Sequence, residues 1–301
     1  MKMKMLTFCL GTLLIAPIVF AQTSGSERKY SDVVAELNSL VKAHPQTVQS
    51  FILGDSDSGE KILGVQIGNG PVHNLVVSTH HGNEYGSTEV ALAFAQAIAA
   101  KPIANQTVYV IPVLNIGGYN AHNRNEDTEN DTFDPNRNYP SPCGTEGPFT
   151  LKDTAALAKF IADKNIIASA TLHTFSPAVT YPWGLATNDL TTGYESIFKN
   201  LVTQATLDSH YPTGNTTELI YPANGSFEDY AFLQHGIWSL LFELGSTHTP
   251  DASETAELIR VNVPGLRRML EAAPTERAQN HAFTGKCDNS AAMISRDRHN
   301  E

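Results

Sequence analysis

The sequence predicts an α/β fold: one domain built on a mixed, mostly parallel twisted sheet flanked by helices. Two observations carry the prediction. Short apolar runs of strand length alternate with longer segments whose apolar residues recur at helical spacing, the pattern of a sheet covered on both faces. In addition, the apolar runs repeatedly end at a polar residue, His81, Asn115, His173 or Glu243. Ligand sites in such sheets collect where strand ends meet loops.

The elements follow in order. "KYSDVVAELNSLVKAHP" (29–45) has a helical pattern closed by a proline. "SFILGDSDSGEKILGVQIGNG" reads as two strands around a Gly/Asp/Ser turn. "NLVVST" is a strand, 87–100 a helix and "TVYVIPVLN" a strand, followed by a long polar loop over 116–149. A loop of that length with little structure of its own usually carries function. "LKDTAALAKFIADKN" is a helix, "IIASATLHTF" a strand, 190–207 a helix and "WSLLFEL" a strand. A last helix, 252–272, is expected to kink at Pro264.

The 301 residues begin with Lys2 and Lys4, an apolar run, and the small residues of Val19-Phe20-Ala21. This is the layout of a cleaved signal peptide over 1–21, and the run is too short and wrongly flanked for a membrane anchor. Cys9 follows a bulky Phe8 and precedes most of the apolar run, which argues against lipidation. The protein is therefore expected to be secreted or periplasmic, with a catalytic domain over 22–275 and a polar tail over 276–301. No propeptide of useful size is expected between the signal and residue 30. Without Lys2 and Lys4 the chain has 18 basic against 31 acidic residues, a formal charge of −13. That balance excludes nucleic acid as a partner, since its binding rests on a basic surface. Two cysteines remain, Cys143 and Cys287. In an oxidising compartment a lone pair points to a disulfide, which here would pin the tail to the loop after residue 140.

"STHHGNEYGS" (78–87) places His81 and Glu84 three apart at a strand-to-helix junction. If a helical turn begins at Gly82, both side chains face one point. With a distant histidine, His173 in "TLHTFSP", they would make a three-ligand set for zinc, which binds N and O donors at about 2.0–2.2 Å and keeps a position open in catalytic sites. Each part also has an ordinary reading: a polar pair in a turn, a satisfied histidine at a strand end. His80 competes with His81, but alternating strand residues face opposite ways, so one of the two points at the site.

"HHGNE", "DPNRNYP", "TLHTF", "IYPANGSFEDYAF" and "LLFEL" occur in an order that resembles the zinc metallocarboxypeptidases of the carboxypeptidase A/B type, from about residue 30 to 272. The resemblance implies one zinc ion held by His81, Glu84 and His173. It implies that Glu243 takes a proton from zinc-bound water and passes it to the leaving amine. Asn136 and Arg137 match the pair that grips the substrate's terminal carboxylate, a task suited to a planar guanidinium. Tyr221 matches the phenol that closes over the bound terminus. Arg124 is assigned to polarising the scissile carbonyl, although the family's usual upstream Asn-Pro-Asp-Gly has become "NIGG" (115–118). Arg124 and Arg137 are the only arginines between residues 29 and 259, and both fall in the same loop.

Asn83 stands where digestive members of the family have an arginine that contacts an outer part of the peptide. Ungapped alignment of "IYPANGSFEDY" puts Glu228 where members that remove Lys or Arg have an acidic residue, so a basic last residue is expected. The competing reading turns Glu228 to solvent and gives Asp229 a structural bond. The implied partner is a peptide or peptidoglycan-peptide substrate, and the implied state a monomer. Alternatives are a cell-wall (murein) peptide carboxypeptidase or amidase, an aspartoacylase-type deacylase and a binding module without catalysis. The last is disfavoured by the presence of Glu243 and all three ligands.

Overall fold

The computed structural model describes residues 28–145 and 147–288. The expected signal peptide, and the tail beyond residue 288, lie outside the described residues. An eight-stranded mixed sheet forms from β1 (Val48–Asp55), β2 (Lys61–Gly68), β3 (Val72–Ser78), β4 (Gln106–Ile111), β7 (Ala168–His173), β8 (Ala178–Tyr181), β9 (Thr213–Asn215) and β10 (Trp238–Glu243). Their spatial order is β1-β2-β4-β3-β7-β10-β8-β9. The centre of the sheet is parallel: β4 with β3, β3 with β7, and β7 with β10. The β1–β2 hairpin adds to β4 antiparallel, and β8 adds to β10 the same way. A two-stranded ribbon, β5 (Glu126–Asp127) and β6 (Thr132–Phe133), stands apart.

The helices are α1 (Tyr30–Ala43), α2 (Tyr85–Ala100), α3 (Ile116–Ala121), α4 (Lys152–Asp163), α5 (Glu195–Ala205), α6 (Thr216–Leu219), α7 (Phe227–His235) and α8 (Ala252–Ala272). Helices α2, α5 and α8 pack as one layer, while α4 and α7 meet in another. The central strands are buried on both faces, which is why they read as unbroken apolar runs: Leu75, Val76 and Val77 of β3 have no exposed surface. Each such side chain contributes about 1.5–3 kcal/mol when removed from water. Helix α8 runs as one element through Pro264.

The topology sets the site. From β3 the chain crosses through α2 to β4 on one side, while β7 lies against the other edge of β3. Loops leaving neighbouring strands therefore part above the C-terminal ends of β3, β7 and β10, and a crevice opens there. The expected disulfide is formed, with Cα atoms of Cys143 and Cys287 5.3 Å apart. Residues 276–288 lie against the domain: Trp238 Nε1 donates to Glu276 O, and Ala278 N donates to Gly236 O.

Candidate metal centre and substrate crevice

Two of the strand ends meet by register. β7 and β10 pair so that His173 and Glu243 are direct neighbours at their C-terminal ends. The segment after β3 supplies the others. Helix α2 begins at Tyr85 rather than at Gly82, so His81 and Glu84 are joined by a tight turn in which Glu84 N donates to His81 O at 3.2 Å. Ser87 then donates from its hydroxyl and its amide to Glu84 O. Gly82 is required at this turn: a Cβ there would stand 2.1 Å from the backbone carbon of Gly118. Of the two changed positions in "NIGG", Gly117 has a local reason: a Cβ there would stand 2.4 Å from Glu126 Oε1. Asn115 caps α3 by accepting from Gly118 N at 2.7 Å and donates from its amide to His80 O and Arg124 O. Asn115 staples the loops that surround the centre and is not among the groups facing it.

Among the described residues, His81, Glu84 and His173 form the one group of three acidic or soft side chains able to hold a metal ion, with donor atoms within 4.8 Å of one another. His81 Nδ1 lies 2.7 Å from Glu84 Oε1, His173 Nδ1 lies 3.0 Å from Glu84 Oε2, and the two nitrogens are 3.2 Å apart. Two nitrogens at zinc bonding distance in a tetrahedron stand about 3.3 Å apart, so the spacing fits that ion. The chemistry fits as well. Both oxygens of buried Glu84 lie within 3.0 Å of a histidine nitrogen, and two imidazole nitrogens and a carboxylate converging on one buried point are a donor set that zinc takes up. Burial works against the Glu84 charge, but His81 and His173 outweigh it and hold the carboxyl well below its usual range.

His80 and His81 face different ways, although both lie beyond β3, which ends at Ser78, in the bend that leads to α2. His80 is fully buried behind the centre, with its ring 5.6 Å from the His173 ring at an interplanar angle of 22° and its Nε2 3.1 Å from the Tyr139 hydroxyl. Burial, followed by the neighbouring His173 and His81, holds its pKa well below the usual value, so it is a neutral ring.

Asp134 was not singled out by sequence reasoning, although "DPNRNYP" contains it. Its Oδ1 lies 3.0 Å from His81 Nε2 and accepts from Asn136 N at 2.8 Å. Its Oδ2 accepts from Arg124 Nε at 3.2 Å and from a terminal nitrogen of the same guanidinium at 2.8 Å. Burial opposes its charge, but Arg124, His81 and Arg137 keep it ionised. The only signal available in sequence was its acidic character, 53 residues from the histidine it serves.

Arg124 stands beside the ligands, one terminal nitrogen 3.1 Å from His81 Nδ1 and 3.9 Å from Glu84 Oε1. Glu243 is partly accessible, and its Oε2 is buried without a hydrogen-bond partner among the described residues. Burial, above all, raises its pKa, and the charge of Glu84 adds to the rise. Asn136 and Arg137 occupy a 3-10 turn, Pro135–Arg137, and both line the crevice with His81, His173 and Glu243. Asn136 Oδ1 accepts from Phe227 N at the head of α7, which fixes the amide plane. Arg137 lies with its guanidinium carbon 5.8 Å from the Tyr221 ring centre, and one of its terminal nitrogens donates to the Tyr221 hydroxyl at 3.5 Å.

Away from the metal the crevice is lined by Thr216, Ile220, Ala223, Ser226 and Leu241. Glu228 is not part of this lining. It is 1% exposed, so it does not turn to solvent either. Its Oε1 accepts from the Thr171 hydroxyl on β7, and its Oε2 has no partner among the described residues. Asp229 makes the expected structural bond, both its oxygens accepting from Gly184 N at 2.9 and 3.0 Å.

A three-ligand metal centre above the parallel strands, with a strand-end carboxylate and an Asn-Arg pair beside it, defines a metal-dependent hydrolase class of site. The sequence profile of the zinc carboxypeptidase family matches residues 33–264. The chain belongs to the zinc carboxypeptidase family, and its cofactor is zinc. It is 26% identical to human carboxypeptidase B over 265 residues, covering 73% of this chain and 63% of that protein. It is 25% identical to carboxypeptidase B of Astacus astacus over 267 residues, covering 74% of this chain and 87% of that one. The chain thus spans somewhat less than two thirds of the human relative. The crystal structure of carboxypeptidase A from Helicoverpa armigera has the same fold, with a TM-score of 0.75, 19% identity, and coverage of 86% of this chain and 76% of that one.

Proposed function

We propose that the protein is an exported carboxypeptidase that hydrolyses the last peptide bond of a peptide with a free C-terminus and prefers a basic last residue. The observation that carries the reading is the placement of the Asn136–Arg137 pair and Glu243 on one crevice with His81 and His173. When bound, zinc lowers the pKa of a coordinated water and polarises a carbonyl oxygen. The terminal carboxylate pairs with the Arg137 guanidinium and the Asn136 amide, which sets the distance from chain end to scissile bond. Tyr221 closes over it from the Arg137 side. Glu243, with its proton affinity raised by burial, takes a proton from the attacking water and delivers it to the departing amine. Arg124, fixed by Asp134, stabilises charge developing on the carbonyl oxygen.

The basic preference is supported by Glu228. A buried carboxylate with one oxygen unpaired lies on α7, the helix whose preceding residues Ala223 and Ser226 line the crevice. A cationic side chain entering there would supply the missing partner. Export is supported by the leader-like first 21 residues and by the disulfide, which persists in oxidising compartments.

The test uses zinc-loaded protein and matched peptides ending in Arg, Lys, Phe or Arg-amide, with products read by mass spectrometry. Release of one terminal Arg or Lys, with Phe slow and the amide inert, is expected. Faster release of Phe would remove the role given to Glu228. No release from any peptide by protein with zinc bound would overturn the carboxypeptidase reading and turn the search to cell-wall peptides.

A further inference from the structure

Three loops meet at one covalent link, Cys143–Cys287, that includes none of the metal ligands. The segment 134–145 carries Asn136 and Arg137, and the segment 220–226 carries Tyr221. Tyr139 N donates to Gly225 O at 3.1 Å, Asn224 Nδ2 donates to Cys143 O at 2.7 Å, and Thr145 closes its own loop by donating to Arg137 O at 2.7 Å. The fit has no slack: Gly225 has φ +82°, and a Cβ there would stand 2.5 Å from Arg137 O. The third loop joins through Asn224, whose Oδ1 accepts from Ala186 N at 2.8 Å.

The far end of this assembly is held by the C-terminal strap. Arg277 donates to Ile166 O and Ile161 O, at 2.7 and 2.8 Å, which moors the strap to the body of the domain. Further along, Thr187 donates to Lys286 O at 2.7 Å and Asp288 N to Ala186 O at 2.6 Å, delivering Cys287 to Cys143.

We propose that this strap is a positioning element of the substrate-carboxylate clamp: through the Cys143–Cys287 bond it holds the Arg137 and Tyr221 loops in the spacing that a peptide C-terminus needs. The inference rests on the assignment of Asn136 and Arg137 to that carboxylate. A side chain held by loops that open more often is competent for a smaller fraction of the time, and apparent affinity falls by that fraction. The metal ligands stand on other segments, and Asp134, at the end of its loop farthest along the chain from Cys143, is held by its own bonds to His81 and Arg124, so the effect falls on binding before it reaches the chemical step.

The experiment compares the parent, the C143S/C287S variant, and the parent reduced with a water-soluble phosphine. The phosphine gives the disulfide two electrons and takes the oxygen of a water, whose two protons complete the thiols, and it adds no competing thiol ligand. Steady-state kinetics on a peptide ending in Arg are read beside hydrogen exchange and zinc content. The expected result is a KM raised by about tenfold with kcat within about twofold, the signature of lost binding. Exchange should quicken in 134–145 and 220–226, stay unchanged in 81–84, and revert when the reduced parent is reoxidised. Unchanged KM together with unchanged exchange in 134–145 would overturn the proposal. If the double variant does not fold, the reduced parent decides. If the parent itself releases nothing from any peptide, the carboxypeptidase reading fails, and the exchange comparison still decides whether the strap holds the loops.

Discussion

His81 Nε2 lies 3.0 Å from Asp134 Oδ1 while its Nδ1 faces Glu84 and His173, so one imidazole is held at both nitrogens. A carboxylate on the outer nitrogen fixes the tautomer that leaves Nδ1 free to bind a metal and makes it a stronger donor. The Asp134→Asn variant is expected to bind zinc about 10–100-fold more weakly, measured by competition with a chromogenic chelator. Equal affinity would show that Asp134 serves Arg124 alone.

Glu243 contributes no metal ligand in this geometry, so its loss should separate chemistry from metal binding. Glu243→Gln should lower kcat by about 10²–10⁴-fold, the range of general acid–base catalysis, while zinc affinity stays within a few fold. A variant that loses its zinc would instead place Glu243 among the ligands.

The buried histidine pair offers a different measurement. His80 stacks on the His173 ring and holds the Tyr139 hydroxyl. His80→Leu keeps an apolar filler but removes the flat ring, and a cobalt-substituted protein should show a shifted visible spectrum with weaker metal binding. Tyr139→Phe should move the spectrum less, because the stacked ring remains.

Glu126 gives a pH dependence away from the centre. Its side chain is buried and accepts from Gly118 N at 3.3 Å, and burial pushes its pKa up to about 7. Between about pH 4.5 and 7 the folded state keeps a proton that the unfolded chain has released, so stability falls as pH rises, by on the order of 1–3 kcal/mol in all. Below 4.5 both states are protonated and the effect is absent. Chemical denaturation of the parent and of Glu126→Gln at pH 5 and pH 8 should show the variant gaining relative stability at the higher pH. A constant difference would refute the assignment.

Substitution at Glu228 tests specificity. Glu228→Ile should lower kcat/KM for a peptide ending in Arg by about tenfold or more and raise it for one ending in Phe. Equal losses on both would mean that Glu228 only supports β7 through Thr171.

Much of this was legible in the sequence, for identifiable reasons. Long periodic elements such as α2, α4 and α8 declared themselves, as did β3 and β7, whose burial on both faces leaves unbroken apolar runs. The short elements α3, β8 and β9 were not read, because six, four and three residues hold too little periodicity to register. The ligand types could be seen after apolar runs, but each also had an ordinary reading, and the order of the five motifs joined them into one set. Asp134 and Thr171 did not stand out, since their roles depend on partners brought near by the topology. Glu228 was read by alignment as a pocket residue, but its bond from the Thr171 hydroxyl, invisible in a linear pattern, was not.

The contact between Gly82 and the Gly118 backbone has a consequence for protein engineering. The histidine–glutamate turn is shaped by a second stretch of chain pressed against it, so "HHGNE" is not a portable cassette. A designer who grafts the turn onto another scaffold must also bring the Asn115–Gly118 corner, and a laboratory library that randomises either stretch alone will sample mostly failures. The two stretches are in effect a single inherited unit that happens to be written in two places.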